Sequence, residues 1–107
     1  MRFRTDEQAL QDDVAALLAA GDFTDSLVPA ALQADRLGVD PRSLAFLAEV
    51  VRRGGLDYAA RLPEPLPTPE QTALVRPWLA IGAGSDRLAR WLDAVAAVLE
   101  ARHLSGR

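Results

Sequence analysis

Apolar residues recur along this chain at helical spacing. Leu10, Val14, Leu17 and Leu18 stand at i, i+4, i+7 and i+8, one stripe of a helix. Thr5 and Gln8 set a T-x-x-Q capping pattern before that stripe, and Gly21 is a natural stop after it. A helix is therefore predicted over about residues 6–20. Leu27, Ala31, Ala34 and Leu37 share the next face, with Thr24 or Asp25 as its cap, Pro29 in the first turn and Gly38 at the end. This predicts a helix over about 25–37. Asp40-Pro41 is a strong start, an acceptor at the N-cap followed by a proline that needs no N–H partner. The helix it opens should run to about Arg53 and stop at Gly54-Gly55. A short helix over about 57–62 follows.

Prolines 63, 65, 67 and 69 alternate through LPEPLPTP and predict an extended strap over about 62–69. Thr68 and Gln71 form a second T-x-x-Q box, with Pro69 at the first helical position. A helix over 69–81 is expected, kinked or broken near Arg76 by Pro77. After Gly82-Ala83-Gly84, Ser85 should cap a last helix over about 86–103. Its stripe is Leu88, Trp91, Leu92, Val95, Val98 and Leu99. No segment alternates apolar and polar residues, and none is rich in β-branched ones. The fold class is all-α, a compact bundle of five to six short helices in a single domain over 1–107.

Composition narrows the function classes. Half of the 107 residues are apolar and there is no cysteine, which describes a small globular domain without disulfide or thiolate chemistry. The start has no apolar core of a signal peptide, and no apolar run is long enough to span a bilayer, so a cytoplasmic protein with no membrane partner is expected. All twelve basic residues are arginine, the bias of a GC-rich coding sequence, and a bacterial source is expected. The net charge of −3 argues against a strong phosphate-binding surface.

ALQADRLGVDPRSLAFLAEV, residues 31–50, places Ala34 four residues before Gly38, with Leu37, Val39, Leu44 and Leu47 around them. This resembles the helix-turn-helix of phage repressors, and the resemblance implies DNA binding. Its groove-facing residues would be Asp40, Pro41, Arg42, Ala45, Phe46 and Glu49. Bases are read mainly by arginine, lysine, asparagine and glutamine. That face holds one arginine, two carboxylates and a phenylalanine, and any tight corner between helices wants the same glycine and leucines. A second stretch, ALLAAGDFTDSL (16–27), resembles the junction inside a tetratricopeptide repeat, where Gly21-Asp22-Phe23 would separate two antiparallel helices. That resemblance implies binding of peptides or proteins. Pro41 comes about three residues late for it, Gln33 stands where alanine is preferred, and no thirty-four-residue period follows.

Residues for chemistry are sparse. His103 is the only histidine, and with Glu100 it makes one E-x-x-H unit, where di-iron bundles need two. Ser26, Ser43, Ser85 and Ser105 have no base other than His103. The pairs Asp6-Glu7 and Asp12-Asp13 are sequence neighbours, which point apart on a helix. GAGS (82–85) lacks the strand and lysine of a nucleotide loop. Trp78 and Trp91 lie on apolar stripes and read as core anchors. No catalytic residue, metal ligand or cofactor is assigned.

Helix 41–53 carries the remaining signal. Leu44, Phe46, Leu47, Ala48, Val50 and Val51 cover an arc of roughly 200°, where one buried face needs about half of that. Either two neighbours sandwich this helix or its Phe46–Val50 edge faces outward as a partner surface. The expected function is a non-catalytic protein–protein interaction module: an adaptor, chaperone or accessory subunit, with a protein partner or a homo-oligomer. Phe46, Val50 and Arg42 would make the contact, with Glu49 and Arg53 as polar rim. The alternatives are a helix-turn-helix DNA-binding protein using residues 31–50 and an antitoxin or immunity-type neutralising protein.

Overall fold

The computed structural model describes residue 16, residues 23–81 and residues 84–105. The helix predicted over 6–20, apart from helical residue 16, lies outside the described residues. So do its capping box, its carboxylate pairs, most of the Gly21-Asp22-Phe23 junction and the Gly82-Ala83 half of the GAGS motif. Among the described residues there are four helices and no strand: α1 (Leu27–Leu37), α2 (Pro41–Ala60), α3 (Pro69–Ile81) and α4 (Ser85–Ser105). The all-α class stands, with fewer and longer helices than expected.

A 3₁₀ turn over Thr24–Ser26 leads into α1. Neither Thr24 nor Asp25 caps that helix; Ser26 holds the N-cap place and makes no side-chain capping bond. Instead the Ser26 hydroxyl donates to the Phe23 carbonyl and accepts from Trp91 Nε1 at 2.8 Å. This buried bond ties the start of α1 to α4. The end of α1 is a Schellman motif, with Val39 N–H donating to Ala34 O (2.9 Å) and Gly38 N–H to Asp35 O (3.2 Å). It turns on Gly38, whose left-handed φ of 75° suits a residue without Cβ. Buried Ala34 and Val39 close the corner from inside. Asp40 caps α2, its Oδ1 accepting from Arg42 N–H (2.7 Å) and Ser43 N–H (3.3 Å).

Gly54-Gly55 does not end α2. The backbone breaks at Gly55 (φ 78°, ψ −178°), then helix resumes to Ala60. The short helix expected over 57–62 is thus the last turn of α2 beyond a glycine break. A Cβ on Gly54 would come within 2.5 Å of Tyr58 Cβ and Cγ, so the reoriented turn also requires glycine there.

The proline-rich segment is not an extended strap. It folds back through successive bends, and Leu62 and Leu66 N–H groups both donate to the Ala59 carbonyl (3.4 and 3.0 Å). A helix-end acceptor outweighs the extended preference of the prolines, and Leu66 packs on the core. The Leu66–Pro67 peptide is cis. The Thr68–Gln71 capping box forms as predicted: Thr68 N–H donates to Gln71 Oε1 (2.9 Å), and Gln71 N–H to Thr68 Oγ1 (3.2 Å). Gln71 Nε2 also reaches Ser43 O on α2 at 3.3 Å. The helix expected to kink or break near Arg76 runs without a break past Pro77 to Ile81 as α3. Ser85 is the first residue of α4 rather than its cap.

One cluster of buried side chains draws on all four helices. Its largest members are Trp78 and Trp91, with tilted rings 5.4 Å apart, and Phe23 sits 6.4 Å from Trp78. Both tryptophans are core anchors, as their stripes predicted. Helix α4 is the spine, carrying Leu88, Trp91, Leu92, Val95 and Leu99 into the core against α1 and α2. Helices α2 and α4 run antiparallel: Gly55 lies by Ser85, Arg52 by Asp93, and Pro41 and Arg42 near His103 and Leu104.

Candidate interaction face on α2 and α4

The core stripe of α2 is Leu44, Leu47, Ala48 and Val51, all fully buried. At 100° per residue, Phe46 projects almost opposite that stripe, and Ala45 and Val50 lie on its two flanks. The structure resolves the wide apolar arc accordingly. Val50 is only 7% exposed, on the flank shared with Ser43, where Gln71 of α3 docks. Phe46 is 59% exposed. The expected Phe46–Val50 edge is therefore not one surface. Val50 is corrected to a packing residue, whereas Phe46 stands alone as an exposed aromatic.

Arg42 lies one turn before Phe46 and is exposed. Glu49 and Arg53 lie one and two turns further on. Glu49 accepts from Arg53 Nε (3.0 Å) and from Arg52 Nη1 (3.1 Å). The Arg53 guanidinium, joined by that of Arg52, holds the Glu49 carboxyl below its ordinary pKa. Arg52 also donates to Asp93 of α4, which raises its own pKa. These exposed ion pairs fix side-chain positions and add little stability. Four of the five residues assigned from sequence, Arg42, Phe46, Glu49 and Arg53, thus share the outward side of α2.

Beside them lies an open groove of about 420 Å³ between the first turns of α2 and the last three turns of α4. It exists because both helices present alanine there. Ala45 faces Ala96 and Ala97, and no side chain is long enough to fill the gap. Asp40, Arg42, Asp93 and Glu100 stand on its rim. Leu104 closes one end at 63% exposure. His103 also lines it, with Nε2 3.2 Å from Asp35 Oδ1 on α1. The E-x-x-H pair therefore faces this groove, and no group of three metal-capable side chains converges among the described residues. The α4 half of the face was not found from sequence. Its signal was present: Ala97 and Leu104 lie off the core stripe of an otherwise well-patterned helix, and Ala96 is a small residue at the edge of that stripe.

Of the residues that the helix-turn-helix resemblance would aim at DNA, Asp40, Arg42, Ala45, Phe46 and Glu49 are exposed and Pro41 is half-buried. The N-terminus of α2 is closed by its own carboxylate, however, since Asp40 takes the N–H groups that would otherwise hold a phosphate. Asp93 and Glu100 place further negative charge alongside. Among the described residues no helix is long and apolar enough to cross a membrane. No protein-family model, curated protein or solved structure matches the chain, so the face on α2 and α4 is read from its own residues.

Proposed function

We propose that the chain is a non-catalytic protein–protein interaction module, an adaptor or accessory subunit, that binds through the outward side of α2 and the adjoining groove. One observation carries this reading: Phe46, 59% exposed, projects from a helix whose opposite stripe is fully buried, next to an unfilled alanine-floored groove. A large exposed aromatic with arginine beside it is the composition of an interface hot spot. Arg42, Glu49 and Arg53 supply the polar rim. The same face would serve a neutralising protein of the antitoxin or immunity type.

The test is recovery of a tagged chain from a lysate of its own cells, with and without nuclease, beside the Phe46→Asp variant. A stoichiometric protein that survives nuclease and is lost with Phe46→Asp supports the reading. A protein retained equally by the variant refutes the assignment of this face. The Schellman corner between α1 and α2 favours one second reading, DNA binding through α2. It predicts nucleic acid that disappears with nuclease and affinity that falls steeply with salt.

A further inference from the structure

We draw no further inference here: the strongest candidate, the alanine-floored groove between α2 and α4 beside Phe46, carries Arg42 and Glu100 on the same rim and so selects no charge, and nothing in the structure shows what covers it.

Discussion

Two glycines with nearly equal φ should respond very differently to substitution. Gly38 has φ 75° and ψ 21°, the ordinary left-handed region. Gly55 has φ 78° and ψ −178°, a region that is essentially glycine-only. A Cβ on Gly38 meets nothing within 4 Å, so Gly38→Ala carries only the left-handed backbone cost, about 1 kcal/mol. A Cβ on Gly55 lies 3.2 Å from Ser85 Oγ and adds a tight contact to a backbone cost of about 2–3 kcal/mol. Urea denaturation followed by far-UV circular dichroism should therefore give a gap of about 1–2 kcal/mol between the alanine variants with equal m-values. In a thermal scan the gap is about 4–8 °C per kcal/mol for a domain of this size. Asparagine separates the two backbones more sharply. It tolerates the left-handed region, so Gly38→Asn should recover most of the alanine loss. Gly55→Asn should recover little. Equal costs at both sites, or equal rescue by asparagine, would refute the claim that α2 is broken at Gly55.

Four shorter expectations follow. Val50→Asp should cost more than about 3 kcal/mol in the same urea titration, because it buries a charge, whereas exposed Phe46→Asp should stay within about 0.5 kcal/mol. Ser26→Ala should cost about 1–3 kcal/mol, since it leaves the Trp91 indole N–H buried without its acceptor; a neutral result would mean that this bond does not anchor α1. Asp40→Ala should lose about 0.5–2 kcal/mol through the vacated N-cap of α2. Glu49 titrates below its ordinary value when folded, so its stabilising contribution is present above the unfolded carboxylate pKa and is lost as pH falls through the folded one. Glu49→Gln should accordingly flatten the acid limb of a stability-versus-pH profile; an unchanged limb would show that the Arg52 and Arg53 contacts are idle in solution.

Signals confined to a few consecutive residues were legible in the sequence. The Thr68–Gln71 box, the Asp40-Pro41 start and the Gly38 stop all formed as read, because each is satisfied by hydrogen bonds within one turn. The misread elements depend on distant partners. Gly54-Gly55 reads as a stop, yet α2 continues because its last turn is held by the connector returning to Ala59. The prolines at 63–69 read as a strap, yet Leu66 folds inward to the core. Pro77 reads as a break, yet it is buried inside a helix that packing maintains. The candidate site shows the same division. The exposure of Phe46 follows from its place on the α2 wheel, while the burial of Val50 and the groove beside Ala45 depend on α3 and α4.

The corner between α1 and α2 shows how one backbone motif serves different partners. Ala34, Gly38 and Val39 build it, two of them buried and the third a glycine without a side chain, so the corner chooses a ligand only through the helix it presents. What distinguishes a DNA reader from a protein binder is the charge placed around that helix. Here the N–H groups at the head of α2 are spent on Asp40. The flanking groove carries Asp93 and Glu100 beside Arg42, and the exposed positions further along are Phe46 and the Glu49–Arg53 pair. A phosphate backbone laid along this face would meet the Asp40 and Glu100 carboxylates as well as Arg42. An apolar side chain with an arginine beside it would meet alanine and a carboxylate. The mixed charge around α2 is the observation on which the proposed choice of protein over nucleic acid rests, at a corner whose shape alone admits either.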